Sequence, residues 1–364
     1  MLHRASKQGD DTLKVWRVDN YNDYFSNIVK VPEKEFKSKI ADNEKKLFYS
    51  EYINKTKKNG LRKIYCVTEN SDLYKIQKNI KNNFLDNIML SDSSYGFRKG
   101  RSYYDFLASH KSFYSGKYFL RLDIRDFFGS IEYSLIEDVV SYYFVVGENL
   151  TSSQKKELLQ NTLSSMTYEN KVPQGAITSP TLSNIVFRQL DLRIEKFCQN
   201  VDAIYTRYAD DLLFSSYNRN LHSAKFINFI RSILISKGFH INHSKTIRTK
   251  NLISLNGFVI SENDIHLSRK KLASLSRILF CLETPKWINS KASFVNLNMK
   301  LKTEGDKHLF EGKYALLNFL AGFRAFIIPI VRSMDDSKLR KKQQKYIVRI
   351  EKTIEKIEKL PPKK

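Results

Sequence analysis

The chain has 364 residues, with 62 Lys and Arg against 38 Asp and Glu, for a net charge of +24. A hydrophobic content of 41% with 13% aromatic residues excludes a disordered chain, and the length allows two or three closely packed subdomains. The positive surplus calls for a polyanion partner, with nucleic acid the leading candidate.

The opening stretch, MLHRASKQGDD, lacks the apolar run of a secretion signal. Residues 1 to about 60 alternate charged and apolar positions, as in EKEFKSKIADNEKKLFYSEYI, and predict amphipathic helix. NGLRKIYCVTE then turns into a short strand, and DLYKIQKNIKNNFLDNIML returns to helix with Leu73, Ile76, Ile80 and Phe84 on one face. KYFLRLDIRDFFGSI begins as a strand. TSPTLSNIVFRQLDLRIEKF reads as a long helix entered through Thr178, Ser179 and Pro180. AIYTRYA and DLLFSSY form a hairpin with Asp210 and Asp211 at its tip. A helix ending in Gly238 follows, then a second hairpin in LISLNGFVIS and DIHLS.

From about residue 268 the pattern becomes helical and basic. LLNFLAGFRAFIIPIV is apolar, but Arg324 and Pro329 are expected to break it short of a membrane span. The last segment sets Ile347, Ile350, Ile354 and Ile357 in one stripe, leaving Lys341, Lys342, Lys345 and Arg349 on or near free faces. Cys66, Cys198 and Cys281 lie too far apart for a C-x-x-C metal site, and so sparse a set suits a reducing cytoplasm. His240 and His243 have a ligand-like spacing without a third ligand, and read as surface or packing residues.

Two adjacent carboxylates on a strand would point to opposite faces, whereas a hairpin tip lets both converge. Like charges so close raise each other's pKa unless a cation sits between them. Asp123 adds a third carboxylate at the end of its own apolar strand. Three such groups could hold two metal ions about 3.5–4 Å apart, as phosphoryl-transfer enzymes do. Alone, Asp123 would read as a strand-end acceptor of a backbone N–H; beside Asp210 and Asp211 the metal reading takes over.

Here the order of segments resembles the reverse transcriptases of the bacterial retron and group II intron lineage. NGLRKIYCV, DLYKIQKNI, SYGFRKGRS, LDIRDFF, VPQGAITSPTLSN, YADD, KGFHINHSKT and LNGFVIS follow one another in that family's order, from about residue 60 to 320. The resemblance implies an α+β right-hand polymerase with fingers, an antiparallel palm sheet and a helical C-terminal thumb. It divides the chain into an N-terminal helical extension over 1–60, fingers and palm over 61–267 and a basic thumb over 268–364.

Carried over by motif, it makes Asp123, Asp210 and Asp211 the catalytic ligands of two Mg²⁺ ions, with Mn²⁺ as a substitute. Phe128 would lie under the incoming sugar and exclude a 2′-hydroxyl; Arg62 would bind the triphosphate. Gln174 and Gly175 would flank the nucleotide, and Lys245 would lie near the departing pyrophosphate as a proton source. Asp126 reads as structural. Without the motif, Phe128 is equally a core ring and Lys245 a solvated surface charge.

The implied partners are dNTPs, a structured noncoding RNA, its DNA copy and a separate effector protein, in the cytoplasm and away from membranes. The implied function is a retron enzyme making RNA-linked single-stranded DNA in antiphage defence. Two windows depart from the retron pattern. FLASH, Phe106 to His110, keeps only the His of N-A-x-x-H, and LNG, Leu255 to Gly257, keeps only the Gly of V-T-G. A defence reverse transcriptase with another RNA, a template-independent DNA-synthesising enzyme and a catalytically silent RNA-binding scaffold therefore stay open. No RNase H signature is present, so removal of the RNA would fall to a host enzyme.

Overall fold

A computed structural model describes residues 16–18, 20–55, 61–111, 114–261, 264–283, 293–334 and 337–359. The strands are β1 (Trp16–Val18), β2 (Tyr49–Lys55), β3 (Leu61–Val67), β4 (Tyr118–Asp123), β5 (Phe144–Val146), β6 (Ile204–Tyr208), β7 (Asp211–Ser216), β8 (Ile247–Lys250), β9 (Ile253–Leu255), β10 (Phe258–Ile260) and β11 (Ile265–Leu267). The helices are α1 (Tyr21–Asp23), α2 (Glu33–Ile40), α3 (Asp42–Leu47), α4 (Asp72–Asn83), α5 (Tyr103–Ala108), α6 (Tyr133–Tyr143), α7 (Ser152–Met166), α8 (Ser179–Asn200), α9 (Ala224–Ile235), α10 (Arg269–Glu283), α11 (Ser293–Thr303), α12 (Lys313–Ser333) and α13 (Ser337–Glu358). The mixture is α+β, as the sequence led us to expect.

Four strands lie in the order β6-β7-β4-β8, three in the order β11-β10-β9, and two short pairs join β2 to β3 and β1 to β5. β2 and β3 are antiparallel, with Tyr49 opposite Val67 and Asn54 opposite Arg62. The helical pattern expected up to about residue 60 therefore gives way to strand after Leu47. Phe48, Tyr49, Tyr52 and Ile53 are aromatic and β-branched residues that favour strand, and β3 supplies the partner that selects it. The chain divides into two units, one from 1–102, 121–213 and 223–246, the other from 103–120, 214–222 and 247–364.

In the first unit, α4 starts where the Ser71 side chain accepts the Tyr74 N–H. It buries Leu73, Ile76 and Ile80 completely or nearly so, at about 1.5–3 kcal/mol per side chain. α7 opens with a reciprocal Thr151–Gln154 capping box. α8 enters through Pro180 and buries Leu182, Ile185, Val186, Phe187 and Leu190. α9 is capped by Ser223, and Gly238 beyond its end takes φ +80°.

In the second unit, α12 is one continuous helix of 21 residues despite Pro329 and Arg324. The expected break does not occur, and by length and composition alone this helix is long and apolar enough to cross a membrane. Buried Leu320, Phe323, Ile327 and Ile330 bracket both residues, and this packing outweighs the backbone hydrogen bond that a proline removes. Arg324 pairs with Glu351 of α13 at 2.6 Å. Ile350 and Ile357 of α13 are buried, whereas Ile347 and Ile354 are half-buried. Lys341, Lys342 and Lys345 are exposed, but Arg349 is engaged by Glu283 through two 2.9 Å hydrogen bonds and is not on a free face.

Candidate active site

β4 delivers Asp123 at its last position, almost fully buried. The β6–β7 hairpin turns through Ala209, at φ +54°, and Asp210 before β7 begins at Asp211. The Ile124 N–H donates to the Asp210 carbonyl at 2.9 Å, joining the hairpin tip to the end of β4. The three aspartates thus stand at one corner, near enough to act on one another electrostatically.

Arg121 stands two residues before Asp123, on the same strand face. Its Nε donates to Asp211 Oδ1 at 2.9 Å and its Nη2 donates to the same oxygen, with Asp123 Oδ2 3.5 Å away. Lys245 Nζ lies 2.9 Å from Asp123 Oδ2, and Asn242 Nδ2 donates to Asp123 Oδ1 at 3.1 Å.

A buried network holds the turn from behind. Arg207 and Asp191 are fully enclosed; Nη2 donates to Asp191 Oδ2 at 2.8 Å and Nε to Oδ1 at 2.9 Å. Arg207 also donates to Ser94 Oγ, Asn184 Oδ1 and, at 3.2 Å, the carbonyl of Ala209. Its guanidinium lies over the Phe187 ring, 4.4 Å from the centroid. Gly96 completes the support: a Cβ there would come within 2.6 Å of the Ala209 nitrogen.

The remaining expected residues surround this corner in different ways. Phe127 is the core ring, stacked on Phe239 with centroids 5.8 Å apart, while Phe128 is half-buried. Phe128 lies 6.1 Å from Phe97, which in turn lies 6.5 Å from Tyr208 of the hairpin. Gln174 is half-buried. Gly175 adopts φ +106°, and a Cβ there would meet Cys66 Sγ of β3 at 2.5 Å, so only glycine lets this loop close on the strand. Arg62 belongs to β3, but its side chain lies outside the described residues. Asp126 is exposed at φ +42°.

Residues 53–260, more than half of the chain, match the family described as reverse transcriptase (RNA-dependent DNA polymerase). The chain belongs to that family. Among curated proteins, this reverse transcriptase is 28% identical to the retron Ec86 reverse transcriptase of Escherichia coli, over 77% of this chain and 74% of that one. It is 33% identical to the retron Ec73 reverse transcriptase of E. coli, over 52% of this chain and 60% of that one. Among solved structures, a telomerase from Candida albicans aligns with 87% of the chain and 66% of its own, at 13% identity and a TM-score of 0.44.

The corner's electrostatics suit a reverse transcriptase, whose family generally depends on divalent metals. Burial pushes the Asp211 carboxyl up to about 6; Arg121 opposes this, and Asp210 and Asp123 add to it. Burial also raises Asp210, partly offset by a backbone hydrogen bond, with Asp123 pushing further upward. Buried carboxylate oxygens are the donors that hard Mg²⁺ or Mn²⁺ takes. Among the described residues no three His, Cys, Asp or Glu side chains are grouped to hold a metal ion as they stand, and Arg121 and Lys245 pair with Asp211 and Asp123. The donor chemistry fits the ions.

The sequence reading missed Arg121, Asn242 and Arg207. A signal existed for two of them. Arg121 shares a strand face with Asp123, and Arg207 is a lone charge in the otherwise uncharged strand IYTRY.

Proposed function

We propose that this RNA-directed DNA polymerase copies a structured noncoding RNA and works as a retron enzyme, producing RNA-linked single-stranded DNA in antiphage defence. The observation that supports the catalytic reading is the placement of buried Asp123 and Asp211 and half-buried Asp210 at one corner, joined by the Ile124–Asp210 backbone bond. The retron relatives support the choice of substrate.

In this reading the three aspartates hold two Mg²⁺ ions, which when bound supply activation of the primer hydroxyl and stabilisation of pyrophosphate. The 3′-hydroxyl oxygen loses its proton to solvent water and forms a bond to the α-phosphorus as the bond to pyrophosphate breaks. Lys245, with its side chain half exposed beside Asp123, hydrogen-bonds the departing pyrophosphate and supplies its proton. Phe128 fills the space beneath the sugar, Arg62 holds the triphosphate, and Gln174 and Gly175 border the nucleotide. Residues 1–60 act as an extension, 61–267 as fingers and palm, and 268–364 as a thumb gripping the duplex. The enzyme works in the cytoplasm, and the defence reading adds a separate effector protein.

Asp210→Asn is expected to abolish DNA synthesis while leaving the melting temperature and RNA affinity close to the parent's. Near-normal synthesis by this variant would remove the catalytic assignment. Sequencing the copurified nucleic acid tests the substrate: RNA joined to its own DNA copy supports the retron reading, and RNA alone or a homopolymer overturns it.

A further inference from the structure

The corner holds three carboxylates, and two basic side chains face them: Arg121 and Lys245. The two cations are not equivalent. The Lys245 side chain is 51% exposed and makes one contact, with Asp123. The Arg121 side chain is 16% exposed, and its planar fork reaches Asp211 on β7 and Asp123 on β4. An arginine keeps its charge at every pH a protein survives, so deprotonation cannot release it. Only another cation can take its place.

We propose that Arg121 is a resident counter-ion that holds Asp123 and Asp211 together in the metal-free chain, and that divalent cations must displace it to bind. The inference rests on the assignment of these aspartates as metal ligands. Its physical basis is competition for the same oxygens. Asp211 Oδ1 accepts both Nε and Nη2 of Arg121, so an ion that binds this oxygen must compete with two charge-assisted donors. The position also follows from the strand. Residues two apart on β4 share a face, so the guanidinium starts beside Asp123 and spans only the gap to the neighbouring strand. The interaction does two opposed things. It relieves repulsion among the carboxylates while the site is unloaded, and it weakens the site's affinity for the metal. Arg121 thus acts as a positioning residue that sets how much divalent cation the enzyme requires, without touching the nucleotide.

The test compares the full-length parent with Arg121→Gln and Arg121→Lys by titrating Mn²⁺ against protein. Free Mn²⁺ is read by electron paramagnetic resonance, and melting temperature is followed in parallel with and without chelator. Arg121→Gln is expected to bind Mn²⁺ about tenfold more tightly or better, because it no longer forfeits charge-assisted hydrogen bonds on loading. In chelator its melting temperature falls below the parent's, and Mn²⁺ raises it by more than it raises the parent's. Arg121→Lys, which keeps the charge but loses the fork, is expected to fall between. Mn²⁺ affinity in Arg121→Gln equal to or weaker than the parent's overturns the proposal. Asp211→Asn in the same titration separates this from the underlying assignment: Mn²⁺ binding unchanged by that substitution overturns the metal site itself, and the counter-ion role with it.

Discussion

Asp191 is about as far from solvent as a charged group can be, and replacing it by Asn keeps its volume while removing its charge. Arg207 would then sit fully buried with no compensating anion, its two acceptor oxygens at 2.8 and 2.9 Å reduced to one amide oxygen. Removing one member of a buried ion pair costs about 3–5 kcal/mol, against a whole-protein stability of about 5–15 kcal/mol. Each kcal/mol corresponds to about 2–4 °C for a domain of 150–250 residues, so the melting temperature should fall by roughly 6–20 °C. The consequence reaches the hairpin tip, because the same guanidinium holds the Ala209 carbonyl at 3.2 Å. The fraction still folded at low temperature should therefore synthesise DNA with a reduced kcat and a nearly unchanged KM for dNTP. Calorimetric melting and steady-state synthesis at 15 °C read the two effects. Adding Arg207→Met to Asp191→Asn should recover part of the stability, since the unpaired buried charge is gone. A melting temperature within about 2 °C of the parent's, or full additivity in the double variant, would refute the reasoning.

Phe128→Ala should let ribonucleotides compete with deoxynucleotides, measured as incorporation from mixed pools; exclusion as strict as the parent's would return Phe128 to a packing role. Burial pushes the Asp211 carboxyl up to about 6, and below that value the proton held there opposes a cation. Mn²⁺ affinity should be level above about pH 6 and fall by up to about tenfold per unit below it; affinity level down to pH 5 would contradict this. Gln at Lys341, Lys342 and Lys345 should weaken RNA binding and lower the log–log salt slope by about 0.7–0.9 per lost phosphate contact. An unchanged slope would make α13 a purely structural helix.

The carboxylate corner was legible because local signals specify it. A strand ending in Asp123 and a hairpin turning at Asp210 require only nearest-neighbour reasoning, and the order of motifs supplied the family. The rest depended on partners distant in sequence. FYSEYI sits in a helical pattern but is rich in aromatic and β-branched residues that favour strand, and β3 decides between them. Arg349 looked free because Glu283, its partner, is 66 residues earlier. Pro329 looked like a break because the packing that tolerates it comes from elsewhere in the unit. Arg207 is the sharpest case. Its acceptors come from Ser94, Asn184, Asp191 and Ala209, a convergence that no single window displays.

The pairing of α12 with α13 bears on how the C-terminal region can be studied. α12 has the length and apolar content of a bilayer-spanning segment, and α13 holds Arg324, the charge in its middle, through Glu351. A chain cut before residue 337 would lose that ionic partner and the cover provided by Ile350 and Ile357, leaving a greasy cylinder in water. Such a fragment is expected to aggregate or adhere to detergent and lipid, and its failure to bind RNA would report that collapse. Charge substitutions on the exposed face of α13 leave the cover in place, and deletion does not.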